Sequence, residues 1–147
     1  MKPSKIGIFD SGLGGLFVLN SLLKKYPNCQ YYYYADNKNM PFGNKTKEEL
    51  TIITDNIVNY FESIKVDLII CACGTISTLL LNKIKDKYKT PILSIVDPTI
   101  NYVNNNYNNT LVLSTVNTCN SNYFQSNLIN KNEVIGLKDL AYIIENN

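Results

Sequence analysis

Short apolar runs alternate along the chain with stretches whose apolar residues recur at every third or fourth position. Residues 5–9 read as a first strand. Leu16, Leu19, Leu22 and Leu23 then have helical spacing as far as Tyr26, where Pro27 stops the helix. Residues 30–35, four of them tyrosines, favour a second strand. The polar stretch 36–45 is longer than a strand-to-helix connection needs, and long loops in compact domains are often functional. Thr46 and Glu49 have the spacing of a capping box, opening a helix with Leu50, Ile53, Ile57, Tyr60 and Phe61 along one face. The continuous apolar run 68–71 predicts a strand buried on both faces. A helix is expected from about Thr75 to Tyr88, with Leu79, Leu80 and Ile84 inward, and a fourth strand over 92–96, closed by Asp97-Pro98. This alternation predicts an α/β fold, a doubly wound parallel sheet.

Beyond Pro98 the pattern weakens. The asparagine-heavy tract 101–109 reads as a hinge or a surface helix, 110–114 as a fifth strand and 118–129 as a helix. A short strand at 133–135 and a helix over 138–145 complete the chain. The expected organisation is a first α/β domain, residues 1–97, and the beginning of a second α/β domain, residues 98–147. A unit of some fifty residues buries too little surface to stand alone, since even ~60 residues bury only about 60% of what the unfolded chain exposes. It should dimerise, pack back on the first domain or stay loosely ordered.

Composition narrows the chemistry. Apolar content of 45% and charged content of 18% describe a soluble globular protein. A net charge of +2 gives no case for nucleic acid or an anionic membrane, and no apolar run approaches the ~18 residues of a membrane span. All 14 cationic residues are lysine, so bidentate arginine clamps are unavailable. There is no histidine, which removes Ser-His triads, histidine metal ligands and imidazole acid–base catalysis. Met1-Lys2-Pro3-Ser4 lacks the features of a signal peptide, so a cytoplasmic location with reduced cysteines is expected. The spacing Cys71-x-Cys73 is not a zinc pattern, and no metal is expected.

Two places carry candidate chemistry. Cys73 falls where the central strand ends and a helix begins, the position at which open α/β sheets bind ligands. A helix N-terminus lowers a thiol's pKa from ~8.5 to roughly 3.5–7.5, which would make Cys73 the most reactive thiol. The competing reading is that Cys71 and Cys73 are small buried hydrophobes. The second place is the glycine turn Asp10-Ser11-Gly12-Leu13-Gly14-Gly15, whose N–H groups offer an anion or carboxylate site. Asp10 and Ser11 stand at its mouth, and either could simply cap the following helix. Cys119 reads as a packing residue at a helix start.

With these residues assembled, the chain resembles the glutamate racemases of the cofactor-independent aspartate/glutamate racemase superfamily. Ile8-Phe9-Asp10-Ser11-Gly12-Leu13-Gly14-Gly15-Leu16 is similar to the family's opening F-D-S-G-x-G-G-L. Asp36 with Pro41-Phe42-Gly43 corresponds to D-x(4)-P-Y-G, and Ala72-Cys73-Gly74-Thr75-Ile76-Ser77 to A-C-N-T-A-S. Thr115-x-x-Thr118-x-x-Ser121 resembles the T-x-x-T-x-x-S segment that opens the second domain. The resemblance implies two α/β domains with glutamate in the cleft between them, and inversion at the α-carbon by two cysteines on opposite faces without a cofactor. It further implies Cys73 as the base on the D-glutamate face and Asp10 as its carboxylate helper. Asp10, Ser11, Phe42, Gly43, Gly74 and Thr75 would line the substrate, and the product would serve peptidoglycan synthesis in the cell wall.

Three departures accompany the match. Gly74 replaces an asparagine, removing a side-chain donor whose loss can cost roughly 2.7–4 kcal/mol of transition-state stabilisation. Phe42 replaces a tyrosine, which costs ~1 kcal/mol if the hydroxyl makes the contact and little if the backbone does. The 147 residues stop before the family's second catalytic segment, C-T-H. Weak or absent racemisation by this chain alone is therefore expected. The alternative is a non-catalytic relative that binds an amino acid or a protein partner, with aspartate competing as substrate; a homodimer is the candidate assembly.

Overall fold

The computed structural model describes residues 4–146. Residues 1–3, on which the reading of the amino terminus rests, and residue 147 lie outside the described residues. The main sheet has four parallel strands in the order β2–β1–β3–β4. They are β1 (Lys5–Asp10), β2 (Gln30–Ala35), β3 (Leu68–Cys71) and β4 (Ile92–Ser94). The parallel α/β fold matches the expectation. Side chains alternate across the sheet, so Gly7 and Phe9 face one layer while Ile6, Ile8 and Asp10 face the other.

The first layer is α2 (Lys47–Ser63) together with the helical segment after β3. The α2 capping box forms as read: Thr46 Oγ1 accepts from Glu49 N–H at 3.2 Å, and Glu49 Oε2 accepts from Thr46 N–H at 2.8 Å. Leu50, Ile57, Val58 and Phe61 from α2 are buried with Phe9, Ile69, Ile76, Leu81 and Ile92 in one core. Gly7 is required there, because a Cβ would sit 2.8 Å from the Phe61 ring. The expected single helix from Thr75 to Tyr88 is instead α3 (Gly74–Ile76), a π-helical turn (Ser77–Leu81), α4 (Asn82–Ile84) and a short 3-10 turn (Lys85–Lys87). Leu80 is buried as expected, whereas Leu79 and Ile84 are only partly so.

The other layer is α1 (Gly15–Lys25), and here the helical spacing misleads. Leu16 and Leu23 are exposed and Phe17 is 81% exposed; Leu19 and Leu22 are half-buried. On the same face of the sheet Leu93 of β4 is 54% exposed. The fourth strand is also shorter than read. Ser94 Oγ accepts from Val96 N–H at 3.0 Å and turns the chain into α5 (Val96–Asn106). Pro98 lies in the first turn of α5, where a missing N–H costs nothing. The asparagine tract is thus largely a surface helix.

After α5 come β5 (Asn109–Thr115), α6 (Val116–Asn120), α7 (Tyr123–Asn127), β6 (Lys131–Leu137) and α8 (Leu140–Asn146). β5 and β6 form a separate parallel pair, in register from Asn109 opposite Lys131 to Thr115 opposite Leu137. The helix expected over 118–129 breaks at Asn122, whose φ of 57° a short polar side chain tolerates. These residues pack back on the main sheet. Tyr123 Oη donates to Asp97 Oδ1 at 2.6 Å and accepts from Asn82 Nδ2 at 2.8 Å, and Asn117 Nδ2 donates to Lys45 O at 3.1 Å.

Candidate active site

The strand order reverses between β1 and β3, so the connections leaving these two strands part in opposite directions and leave a crevice at their carboxyl ends. Asp10 ends β1. Ala72, just past β3, donates its N–H to Phe9 O at 2.9 Å, which holds the Cys73 segment against β1. Cys73 precedes α3 in an extended conformation (φ −82°, ψ 116°) and is 3% exposed. Thr75, where the helix was expected to begin, lies one residue inside α3, and Ser77 opens the π-helical turn. Ser77 Oγ donates back to Cys71 O at 3.4 Å, and the Thr75 hydroxyl reaches that of Thr115 at 3.3 Å.

The two readings of Asp10 hold together. Its Oδ1 accepts from Ser11 N–H and its Oδ2 from Gly15 N–H, both at 2.8 Å, so the carboxylate ties down the start of α1. It also faces the Cys73 thiol across the crevice. Gly15 has no alternative there: a Cβ would stand 2.8 Å from Tyr33 Oη and 3.0 Å from Asp10 Cβ. Tyr33 Oη donates to Gly12 O at 2.8 Å and braces the same turn from β2. In the long loop, Met40-Pro41 is cis and a 3-10 turn (Phe42–Asn44) follows. Phe42 is buried in the core while Gly43 passes close to Thr115.

Asp10, Ser11, Phe42, Gly43, Cys73, Gly74 and Thr75 all line one cleft of about 570 Å³. The two catalytic and the further substrate-lining candidates of the sequence analysis are thus brought to one cleft, whereas Asp36, Cys71 and Cys119 are not among its lining. The opposite wall adds Ser114, Thr115 and Thr118, and Leu13, Phe17, Leu113, Leu140 and Ile144 form apolar parts of the lining. Thr115 and Thr118 were visible only as part of a motif without a role. Their spacing has a local meaning, since Thr115 Oγ1 accepts from Thr118 N–H at 3.3 Å and caps α6. Ser114 carried no signal in the sequence, because only the docking of β5 turns it toward the crevice.

The electrostatics correct one expectation. The Cys73 thiol is pushed up to about 12, by burial first and by the Asp10 charge second. The N–H groups of Ile76, Thr75 and Ser11 pull it down but do not win. Desolvation of a thiolate outweighs the helix N-terminus. Asp10 is itself raised by burial, against the opposing effect of the Ser11 and Gly15 N–H groups and the Cys73 thiol. The Cys73 thiol therefore keeps its proton in the resting site. Cys71 is fully buried, donates to Cys73 O at 3.6 Å and is raised further by burial, in keeping with a packing role. Among the described residues no group of three or more metal-ligating side chains converges, and no helix is long and apolar enough to cross a membrane.

No family model matches the chain. The glutamate racemase of Fusobacterium nucleatum is 37% identical over 145 residues, which are 97% of this chain and 55% of that protein. A glutamate racemase isoform from Bacillus anthracis superposes with a TM-score of 0.91 at 25% identity, over 99% of this chain and 57% of that one. The glutamate racemase from Francisella tularensis in complex with D-glutamate gives 0.84 at 26% identity, over 99% and 57%. The chain spans about half the length of the curated relatives it matches. By sequence along almost its whole length and by fold, the chain is similar to glutamate racemases over about half of their length.

Proposed function

We propose that this chain binds glutamate in the cleft at the switch point and carries one half of a cofactor-independent racemisation site. The observation that carries this reading is the convergence of Asp10 and Ser11, Phe42 and Gly43, and Cys73 to Thr75 on one cleft from three separate connections. Among the described residues Asp10 is the only charged side chain in that lining, so an amino acid's ammonium group has a partner and its carboxylates fall to N–H and hydroxyl groups. Ser11, Thr75, Ser114, Thr115 and Thr118 supply those hydroxyls, with residues 1–97 and 98–147 acting as two domains on either side.

In this reading Cys73 exchanges a proton with the glutamate α-carbon on one face. Removing the proton requires thiolate, which the resting site disfavours. A bound ammonium beside Asp10 lowers that cost, because it neutralises the second cause of the upward shift. The proton then passes from the α-carbon to Sγ, and the negative charge left on the α-carbon spreads into the carboxylate. Inversion needs a second acid on the opposite face. Cys73 is the only thiol among the described residues lining the cleft, so racemisation by this chain alone should be weak or absent. In the complete reaction, D-glutamate for peptidoglycan synthesis in the cytoplasm is the product.

The test is alkylation of the native protein with iodoacetamide, with the adduct on Cys73 quantified by peptide mass spectrometry. Millimolar D- or L-glutamate should slow the modification of Cys73 while leaving Cys29 and Cys119 unchanged. Equal rates with and without either enantiomer would overturn the reading.

A further inference from the structure

Most glycines of this chain are glycine because a neighbour crowds them. A Cβ at Gly7 would press on Phe61, at Gly15 on Tyr33 and at Gly136 on Cys119, each closer than 3.0 Å. At Gly14 and Gly43 it would come to 3.2 Å from Asp10 and Thr115. Gly74 differs from all of these. A Cβ there meets no heavy atom within 4 Å beyond its chain neighbours and its own helix backbone. No described glycine has a positive φ, so the backbone does not demand glycine at this position either. The first residue of a helical segment accepts almost any side chain, and glycine is among the poorer choices. Yet Gly74 lines the cleft between Cys73 and Thr75, and open space stands where its side chain would be.

We propose that this space is a ligand subsite, and that the cleft takes a glutamate-type amino acid carrying a small uncharged substituent on its α-nitrogen or β-carbon. The inference rests on the glutamate reading above and specifies its substrate class. If Cys73 Sγ addresses the ligand's α-carbon, a side chain on the next residue would lie beside the groups attached to that carbon. The absence of that side chain leaves room there. Among the described residues of the lining Asp10 alone is charged, so none of them offers a cation to an added acidic group. Among the remaining choices, a methyl-sized or slightly larger neutral group fits both the room and the charge.

Isothermal calorimetry would compare glutamate, N-methylglutamate and 3-methylglutamate on the native chain and on the Gly74→Ala and Gly74→Asn variants, with circular dichroism confirming their fold. The native chain should bind at least one methylated ligand as tightly as glutamate or more so. Both variants should shift the preference toward glutamate by roughly tenfold or more, the usual worth of one methyl group against a filled pocket. Gly74→Ala adds a single carbon, so it preserves the test if the asparagine variant folds poorly. An unchanged preference across the three proteins, or rejection of both methylated ligands by a native chain that binds glutamate, would overturn the inference alone. Failure of the native chain to bind any of the three would remove the glutamate reading and this inference with it.

Discussion

The main sheet and the β5–β6 pair are built from similar residues and end up in different physical situations. In the main sheet, Phe9, Leu50, Ile57, Val58, Phe61 and Ile69 are sealed in a continuous core. Among the described residues, the apolar cluster beside the β5–β6 pair buries Val96, Ile100 and Leu128, while Leu111 and Leu113 stand more than half exposed on β5. Parallel strands normally have both faces covered, and two strands alone are marginal in water. The second unit therefore draws its order from docking: Tyr123 to Asp97 and Asn82, Asn117 to Lys45, and Thr75 to Thr115. Asp10 and Cys73 stand on the well-packed sheet, whereas Ser114, Thr115 and Thr118 are held over them by a wall with little core of its own.

The largest expected effect breaks the stronger region. Phe61→Ala should cost about 3–5 kcal/mol, because the ring fills the core under Gly7 and its loss leaves a cavity. Leu113→Ala removes a similar apolar group at a position 55% exposed and should stay within about 0.5 kcal/mol. Urea denaturation followed by circular dichroism measures both. Comparable losses would show that Leu113 is as well packed as Phe61 and would dissolve the contrast.

The same contrast explains what could be read from the sequence. Local signals were legible wherever the chain is locally determined. The Thr46–Glu49 capping box, the buried run into Cys71 and the glycine turn after Asp10 each specify their structure within a few residues. Quantities set by distant packing were not. The position of Cys73 after a strand and before a helix suggests a lowered pKa, but burial and Asp10, 63 residues away in sequence, reverse the sign. Leu16 and Leu23 have the spacing of core residues and lie exposed, because periodicity says nothing of whether a second layer covers them. Asn122 broke an apparently continuous helix, and only its tolerance of a left-handed backbone hinted at that.

An intermediate effect concerns alkaline pH and belongs to the main sheet, where both raised thiols lie. Cys73 keeps its proton in the folded state up to about 12, against an ordinary value of 9.0. Above pH ~9 the unfolded chain therefore binds fewer protons than the native one, and stability falls as pH rises. The slope approaches about 1.4 kcal/mol per pH unit for each such thiol. Between pH 8 and 10.5 the native chain should lose about 2 kcal/mol more than Cys73→Ala. Lysine and tyrosine titrations are common to both proteins and cancel in the difference. Parallel stability curves for the two would show that Cys73 ionises as easily folded as unfolded.

The smallest effect compares one local device in the two regions. At the end of α2, Val66 N–H donates to Phe61 O at 3.2 Å and Lys65 N–H to Glu62 O at 3.0 Å, the paired bonds of a helix terminated by a left-handed residue. Lys65 occupies the left-handed position with φ 58°. After α6, Asn122 occupies the corresponding position with φ 57° and donates its N–H to Cys119 O at 3.2 Å. The backbones are alike and the residues are not. A lysine Cβ crowds its own carbonyl in this conformation at a cost of roughly 1–2 kcal/mol, whereas asparagine adopts it routinely. Glycine would relieve that crowding but adds freedom to the unfolded chain, which offsets the gain by about 0.4–1 kcal/mol. Lys65→Gly should therefore raise stability by about 0.5–1 kcal/mol, and Asn122→Gly should leave it unchanged or slightly lower. Urea midpoints of the two variants, measured side by side, decide the matter. A larger gain at Asn122 would mean that strain is concentrated in the weaker region, and that the loosely supported wall of the cleft is limited by its turns and not by its thin core.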